Sequence, residues 1–299
     1  MMASSSFPSG QPVFRFAPSP NGRLHLGHAL SALTNERFAA RMKGRLLLRI
    51  EDIDRERCTP VLEQAMRADL DWLGIVFEPE PRRQSEHFAD YGAALSVLQG
   101  QGLIYPCFCS RQQVRAAVAA QEGACGCSWP ADPDGAPLYT GTCRAVEPTE
   151  AQARQPAGEA HVLRLDMTRA IAAAGDGIGY DVIDEAGEAL RVKARPTRWG
   201  DVVLARRDIP TSYHLSVVVD DALQGVTHVV RGRDLEAATD IHALLQRLLG
   251  LPTPFYHFHE LLIDESGRKL AKSRQSESLA DLRAQGVTAA AIREKLGFA

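Results

Sequence analysis

The chain has 299 residues, of which 45% are hydrophobic and 24% charged, and its formal net charge is −3. This composition is typical of a folded globular protein and excludes a disordered or fibrous chain. No apolar stretch approaches the roughly 20 residues that a bilayer crossing needs, and the first residues lack the basic start and apolar middle of an export signal. We therefore expect no membrane contact, a cytoplasmic location and a disordered tail over residues 1–10. Because the overall charge is acidic, we expect any contact with RNA to be local.

The first third of the sequence alternates between strand and helix patterns. Strands are predicted at residues 13–16 and 45–50, and helices at residues 24–42, 60–73 and 86–99. Thr59 and Pro60 form an N-cap and a first-turn proline for the second of these helices. The alternation predicts an α/β fold, a doubly wound parallel sheet with helices on both faces.

The middle of the chain interrupts this pattern with a group of cysteines. Five of the six cysteines fall close together in the sequence: Cys107, Cys109, Cys125, Cys127 and Cys143. Without an export signal, this clustering indicates a metal site or reduced thiols rather than disulfides. Residues 131–160 are rich in proline, glycine, alanine and acidic residues, which is typical of an insertion or linker.

The last third returns to the first pattern. Strand-like runs occur at residues 161–165, 201–205, 215–219 and 228–231, an amphipathic helix at 236–249, and short helices at 279–285 and 288–296. We expect one sheet domain in two halves, which would bind its ligand outside the carboxyl ends of its strands. The predicted segments are 11–106 and 201–268 for the two halves, 107–200 for an insertion, and 269–299 for a terminal loop with short helices.

Residues 15–28 contain the first segment that suggests chemistry. They run through a turn rich in proline and glycine and end in His25-Leu26-Gly27-His28 at the start of a helix. Two imidazoles three residues apart share a helix face, and a helix N-terminus attracts phosphate. The spacing suits ATP, although two histidines at this spacing alone are more typical of a surface pair or half a metal site.

A second segment lies near the end of the chain, at residues 267–273. Lys269 and Lys272 fall in a loop that begins with Gly267. Two such lysines can hold a triphosphate and neutralise charge as pyrophosphate leaves. By itself the string is also that of an ordinary exposed basic loop, so only its pairing with the histidine segment is specific.

These segments together resemble the class I aminoacyl-tRNA synthetases in their glutamate-specific form. Residues 16–28 resemble the first signature of that family and residues 269–273 (KLAKS) the second, with Ala271 in place of the usual serine. Residues 49–54 (RIEDID) are similar to the family's RIEDTD-like strand end, with Ile53 in place of threonine. The likeness implies a Rossmann-like catalytic domain.

The chain stops shortly after the second signature, where glutamyl-tRNA synthetases continue into a helical anticodon-binding region. With its cysteine pattern, it resembles the glutamyl-queuosine tRNA(Asp) synthetases, shorter paralogues that attach glutamate to a modified base. This resemblance implies activation of glutamate with ATP and transfer to queuosine at the wobble position of tRNA(Asp). We expect a monomer that contacts the tRNA anticodon loop.

The resemblance also assigns roles to residues. Those around glutamate and ATP are Arg15, Phe16, Ala17, Pro18, Ser19, Glu51, Tyr213 and Arg231. The residues that bind ATP are His25, Gly27, His28, Lys269 and Lys272. Of these, His25, His28 and Lys272 are the catalytic residues and act together with Mg²⁺. Arginine forks bind carboxylates and a carboxylate binds an ammonium group. From the residues alone, Glu51 can equally cap the next helix and Arg231 can lie on the surface.

The family pattern further implies one structural zinc ion in an insertion of the acceptor-binding type. Its ligands are Cys107, Cys109, Tyr139 and Cys143, a set that zinc accepts. The segment between Cys109 and Tyr139 is longer than the family pattern and carries Cys125-Gly-Cys127. A four-cysteine site and free thiols therefore remain alternatives.

Three other functions stay open. A small glutamyl-tRNA synthetase that charges the tRNA 3′ end has the same activation residues. A catalytically silent paralogue that binds RNA or a protein has the same fold. A small-molecule nucleotidyltransferase explains the histidine segment but neither the cysteines nor the RIED strand.

Overall fold

The computed structural model describes residues 10–146, 149, 150, 154, 159–262 and 277–298. Its strands are β1 (Val13–Phe16), β2 (Arg45–Ile50), β3 (Arg82–Arg83), β4 (Ile104–Cys107), β5 (Val162–Leu165), β6 (Gly179–Ile183), β7 (Ala189–Lys193), β8 (Val203–Ala205), β9 (His228–Gly232) and β10 (Phe255–His259). Its helices are α1 (Leu26–Arg41), α2 (Pro60–Trp72), α3 (Phe88–Gly100), α4 (Arg111–Cys125), α5 (Met167–Ala174), α6 (Tyr213–Leu223), α7 (Thr239–Leu249), α8 (Leu279–Ala284) and α9 (Ala289–Lys295).

The main sheet has seven strands in the order β3-β2-β1-β9-β10-β6-β7. All neighbours pair in parallel except β6 and β7, which form an antiparallel edge. The chain leaves β1 toward β2 on one side and later returns to β9 on the other, so the strand order reverses between β1 and β9. In a parallel sheet, ligands bind outside the carboxyl ends of the strands at such a reversal. The predicted mostly parallel, doubly wound α/β fold is confirmed.

Local sequence signals start several helices. The Thr59 side chain accepts a hydrogen bond from Leu62 N at 3.3 Å, and Pro60 is the first residue of α2. Ser212 accepts from Leu215 N at 3.5 Å at the start of α6. These caps satisfy backbone donors that have no partner inside the helix.

The core lies on both faces of the main sheet. On one face, Phe14 packs with Leu33 and Phe38 of α1 and with Leu70 of α2. A second cluster joins α3, α5, α6 and α7 to the small sheet, with Leu98, Leu165, Leu204, Leu215 and Leu244 almost completely buried. Burial of each such side chain stabilises the fold by about 1.5–3 kcal/mol.

A smaller antiparallel sheet, in the order β4-β5-β8, lies beside the main one. The predicted insertion boundaries do not separate the two sheets. Strands β6 and β7 fall within the predicted insertion but extend the main sheet, because the edge of β10 pairs with Asp181 and Val182 of β6. Strand β8 falls outside it but pairs with β5 through Leu163 and Ala205.

The prediction of a strand at residues 215–219 is wrong, because this run lies inside α6. A short apolar run has no clear period, so sequence alone does not separate a buried strand from a buried helix. Here the Ser212 cap starts a helix that is buried along most of its length.

No helix in the described part of the chain is long and apolar enough to cross a membrane.

Candidate active site

A cleft of about 520 Å³ opens at the carboxyl ends of β1 and β9, where the strand order reverses. Its lining includes these predicted residues: Arg15, Phe16, Ala17, Pro18, Ser19, His25, Gly27, His28, Glu51, Tyr213 and Arg231. They come from four separate parts of the sequence. The predicted Lys269 and Lys272 lie outside the described residues.

One end of the cleft is formed by the histidine pair at the start of α1. His25 is the N-cap residue: its Nδ1 accepts from Gly27 N at 3.1 Å, and its own backbone N–H donates to His28 Nδ1 at 3.2 Å. Because both Nδ1 atoms accept, each neutral ring carries its proton on Nε2. The two rings lie 4.0 Å apart between centroids. This end therefore combines two imidazole donors with the positive end of a helix dipole, an arrangement that suits phosphate.

Gly27 allows this arrangement. A Cβ atom at this position would lie 2.9 Å from His25 Cε1, so a larger residue must displace the ring. The glycine lets the first turn of the helix approach the capping imidazole closely.

Two other residues of the cleft lining, Arg15 and Glu51, belong to a buried network of charges. Arg15 Nε donates to Asp221 Oδ1 at 3.0 Å, and Arg49 Nη1 donates to the same oxygen at 2.7 Å. Arg49, which is completely buried, also donates to Glu51 Oε1 from Nη2 at 3.1 Å. Asp221 thus holds both arginines in place, and Arg49 holds Glu51.

The network sets the charge of its members. Burial alone would raise the pKa of Asp221, but Arg15 and Arg49 together lower it. Burial raises the pKa of Glu51, although Arg49 and Arg15 oppose the effect. Glu51 is therefore a carboxylate whose ionised form gains from a further positive group.

Arg231 lies at the end of β9 and is held on three sides. Its Nη2 donates to Thr239 Oγ1 at 2.7 Å, and its Nη1 donates to Tyr213 Oη at 3.3 Å. Both Nη atoms also lie 3.3 Å from His242 Nδ1. Because a guanidinium has no acceptor, His242 Nδ1 must accept. His242 Nε2 then donates to Nδ1 of His214 at 3.3 Å.

Both histidines behind Arg231 are neutral. Burial lowers the pKa of His242 well below its usual value, and the charge of Arg231 lowers it further. Burial, with Arg231, lowers the pKa of His214 to about 4. A neutral ring is required here, since an imidazolium at His242 could not accept from Arg231.

The cysteines form a separate cluster at the edge of the small sheet. The sulfur atoms of Cys107, Cys109 and Cys143 lie within 4.8 Å of one another. Tyr139 Oη lies 3.2 Å from Cys107 Sγ and 3.5 Å from Cys109 Sγ, and accepts the Cys143 N–H at 2.8 Å. The structure thus brings together the four residues of the predicted zinc site.

Cys125 and Cys127 lie at the end of α4, away from this cluster. The structure joins them to each other in a disulfide, which differs from the expectation of metal or reduced thiols. Their sulfurs are not among those brought together in the described part of the chain.

Comparison with known proteins agrees with this architecture. Residues 13–298 match the family described as tRNA synthetases class I (E and Q), catalytic domain. The chain is 47% identical over 294 residues to the glutamyl-Q tRNA(Asp) synthetase of Rhodobacter capsulatus, covering 96% of this chain and 100% of the relative. This chain belongs to the glutamyl-Q tRNA(Asp) synthetase family of class I synthetases.

Other relatives fall in the same class. The glutamyl-Q tRNA(Asp) synthetase of Symbiobacterium thermophilum is 40% identical, over 95% of this chain and 85% of the relative. The glutamate-tRNA synthetase of Elizabethkingia anophelis superposes with a TM-score of 0.70 at 25% identity, over 93% of this chain and 54% of the other. This synthetase thus spans about half the length of that structure.

The structure decides two of the alternative interpretations within the synthetase cleft. Glu51 does not cap the next helix: Thr59 does, while Asp52 accepts from Ser85 N at 2.9 Å. Arg231 is not a surface residue, since only 4% of it is exposed.

Sequence reasoning missed several residues of the synthetase site. Arg49, Asp221 and His242 hold the side chains that line it, and Asn21, Asp234 and His259 also line the cleft. One signal was available: Asp220 and Asp221 follow an apolar run directly. A carboxylate that is buried together with such a run almost always has a charged or polar partner.

Proposed function

We propose that this chain activates glutamate with ATP and transfers the glutamyl group to queuosine in tRNA(Asp). The observation that carries the proposal is the single cleft that joins a phosphate-binding helix start to a pocket with two arginines and one carboxylate. The relatives at 47% and 40% identity are glutamyl-Q tRNA(Asp) synthetases, which supports the choice of amino acid and acceptor.

Glutamate has two carboxylates and one ammonium group, and the pocket offers complementary charges. Arg15 and Arg231 would bind the carboxylates through their guanidinium groups, while Glu51 would accept from the ammonium group. Tyr213 adds a hydroxyl beside Arg231, 3.3 Å from its Nη1. The pocket is buried, so a substrate lacking one of these charges would leave a buried group unpaired.

In the first step, an oxygen of the glutamate α-carboxylate attacks the α-phosphorus of ATP. A new P–O bond forms, the bond to the β-phosphate oxygen breaks, and pyrophosphate leaves with its electron pair. His25 and His28 would donate to the phosphate oxygens, and ATP brings its own Mg²⁺. Lys272 and Lys269 would stabilise the charge of the leaving group, and no protein nucleophile takes part.

In the second step, a hydroxyl oxygen of the acceptor attacks the carbonyl carbon of glutamyl adenylate. An ester bond forms, AMP leaves, and the hydroxyl proton passes to the leaving phosphate or to water. The queuosine cyclopentene-diol offers vicinal hydroxyls like those of a terminal ribose, so one acyl-transfer geometry can serve both.

The cysteine cluster would hold one structural zinc ion. Four ligands at Zn–S distances of about 2.3 Å around a tetrahedral centre are separated by a little under 4 Å. The separations of 3.4 Å between Cys109 and Cys143 and 3.2 Å between Cys107 and Tyr139 are close to that range. Three thiolates and a phenolate would close the site, so zinc there would stabilise the fold locally and take no part in the reaction.

The test has two parts. Glutamate-dependent exchange of pyrophosphate into ATP, without RNA, measures activation. Labelled glutamate is then offered with tRNA(Asp) that contains or lacks queuosine, and nuclease digestion locates the label. Label on the anticodon nucleotide, only with queuosine, supports the proposal; label on the 3′ adenosine supports a glutamyl-tRNA synthetase, and absent exchange supports a silent paralogue.

Contact with the anticodon loop, a monomeric state and a cytoplasmic location stay predictions of the sequence. Nuclease digestion of bound, end-labelled tRNA(Asp) would map the contact with the anticodon loop. Sedimentation equilibrium would give the oligomeric state.

A further inference from the structure

Cys125 and Cys127 lie on the surface at the end of α4, and we call them the surface cysteine pair. The structure joins their sulfur atoms in a disulfide, with the two Cα atoms 5.3 Å apart, inside the usual range of about 4.4–6.8 Å. Both residues are exposed, as are Gly126 and Ser128 beside them. In the described part of the chain, neither cysteine lines the active-site cleft or belongs to the cysteine cluster.

A turn at Gly126 brings the two cysteines together. Gly126 N donates to Glu122 O at 2.9 Å at the end of α4, and Gly126 has a left-handed backbone conformation with a φ of 62°. Glycine adopts this conformation without strain, and it is common directly after a helix. The turn is therefore specified by the glycine and the helix end, and does not depend on the disulfide.

The chain that follows the pair is also held without the disulfide. Trp129 N donates to Glu122 Oε1 at 2.9 Å, and Trp129 Nε1 donates to Leu138 O at 2.8 Å. Leu138 N in turn donates to Pro130 O at 2.9 Å. Because these bonds involve no sulfur, reduction of the disulfide would leave the two thiols side by side. Groups held in this way react with each other much faster than with separate molecules.

The position of the disulfide suits exchange better than structural support. In the chain-entropy model, a cross-link stabilises a protein more as the loop that it closes becomes longer. Only one residue separates Cys125 from Cys127, so the disulfide adds little to the stability of the fold. Exposed disulfides are also the ones that a thiolate can attack.

The cysteine cluster differs from the pair in its accessibility. Cys107 is 1% exposed and Cys143 is 7% exposed, and Tyr139 Oη lies 3.2 Å from Cys107 Sγ. Buried structural cysteines are inert, and zinc bound in the cluster would hold the sulfurs as ligands. A small disulfide should therefore react with the surface cysteine pair before it reacts with the cluster.

We propose that the surface cysteine pair is a site of reversible exchange with small thiols and disulfides of the glutathione type, while the cysteine cluster stays reduced. This inference goes beyond the proposed function, whose chemistry requires no thiol. The predicted cytoplasmic location would bring the pair into contact with such a thiol. The pair then carries the redox state of its surroundings on the surface of the synthetase.

The exchange proceeds in two steps. The thiolate of Cys125 attacks one sulfur of the small disulfide, so that a mixed disulfide forms and one small thiolate leaves. The thiolate of Cys127 then attacks the Cys125 sulfur, and the second small thiolate leaves. The protein loses two electrons and two protons, and the small disulfide gains them as two thiols; an excess of small thiol drives the reverse reaction. Cys125 attacks first because Cys127 N donates to its Sγ at 3.2 Å, and a hydrogen bond to the charged form favours the thiolate.

The experiment equilibrates the full chain with mixtures of reduced and oxidised glutathione. Acid stops the exchange, the remaining thiols are alkylated, and mass spectrometry of peptides counts them at each cysteine. Cleavage at acidic residues separates the pair from Cys143, because Glu122 and Asp132 flank the pair.

We expect the ratio of dithiol to disulfide in the pair to follow the squared concentration of reduced glutathione divided by that of oxidised glutathione. A tenfold rise in this quotient should raise the ratio about tenfold, because two small thiols are consumed for each disulfide opened. The thiols of the cluster and the zinc content of the same samples should stay constant.

Single variants separate the roles of the two sulfurs. Cys127→Ser should trap one glutathione on Cys125, and Cys125→Ser should trap less on Cys127. In both variants the mixed disulfide should follow the plain ratio of oxidised to reduced glutathione, since no second cysteine closes the ring. The double variant Cys125→Ser, Cys127→Ser is the matched control: its peptide should take up no glutathione, and the protein should unfold at the wild-type denaturant concentration.

A disulfide that persists under a large excess of reduced glutathione would overturn the proposal, because the pair would then be a structural cross-link. Thiols that remain in the pair under oxidised glutathione alone would also overturn it. Oxidation of the cluster at the same mixtures as the pair would reject the difference between the two sites. These assays contain no RNA, ATP or glutamate, so a failure of the proposed function would leave their outcome unchanged.

Discussion

The carboxylate of Asp221 accepts a hydrogen bond from Arg15 Nε at 3.0 Å, across 206 positions of sequence. The same oxygen accepts from the completely buried Arg49 at 2.7 Å. Loss of the negative charge would leave two buried cations with fewer partners. These two hydrogen bonds make Asp221 a positioning residue for the glutamate pocket, although Asp221 itself does not line the cleft.

Asp221→Asn should therefore lower both stability and glutamate binding. Removal of one partner from a buried ion pair costs about 3–5 kcal/mol, which chemical unfolding measures. Asp181→Asn is the control, because its partner Arg191 is 57% exposed and such pairs contribute about 1 kcal/mol or less. Equal stability of the two variants would contradict the role of Asp221.

Glutamate activation should depend on the ionisation of Glu51. Burial raises the pKa of this carboxyl above its usual 4.5, and only the ionised form attracts the substrate ammonium group. As pH falls through the raised value, kcat/KM for glutamate should decline, because this ratio reports groups of the free enzyme. The acid limb should therefore lie above pH 4.5 in pyrophosphate exchange.

Glu51→Gln is the matched variant for that profile. It should lower kcat/KM at neutral pH and remove the acid limb. A limb that persists in this variant must belong to another group.

His242→Ala should weaken glutamate binding by releasing Arg231. The ring accepts from Arg231 at 3.3 Å, and a hydrogen bond to a charged group is worth about 1.5–3 kcal/mol, or roughly a tenfold to hundredfold rise in KM. kcat should change less, because Arg231 would bind the glutamate equally in the ground state and in the transition state. His242→Asn, which restores an acceptor, should recover part of the loss; an unchanged KM in His242→Ala would exclude the positioning role.

Zinc analysis should find one ion per chain. Cys107→Ser or Cys143→Ser should release it and destabilise the small sheet, since metal binding and folding are coupled. The double variant Cys125→Ser, Cys127→Ser should retain the ion, because those sulfurs pair with each other away from the cluster. Loss of zinc from the double variant would instead support the four-cysteine site.

Lys272→Ala should lower the rate of glutamate activation by about 10² to 10³ with little change in glutamate affinity. The charge it offsets develops mainly as pyrophosphate leaves, so its effect belongs to kcat. Pyrophosphate exchange at saturating glutamate measures this. Wild-type turnover would reject the role given to the KLAKS segment.

The sequence alone determined the elements that local signals specify. Strands at residues 13–16 and 45–50 have the predicted bounds, and α2 begins at Pro60 after its Thr59 cap. The histidine segment was recognisable for the same reason, because a turn followed by a helix start is encoded by adjacent residues. The family resemblance added the cleft residues and the cysteine set.

Tertiary structure decided whatever depends on distant neighbours. Residues 215–219 form a helix and not a strand, and Gly179–Ile183 joins the main sheet, because packing and edge pairing settle what a short apolar run becomes. The supports of the pocket, Asp221 for Arg15 and His242 for Arg231, exist only once β1, β9, α6 and α7 meet. A buried charge needs a partner in space, and sequence spacing carries no record of which element will provide it.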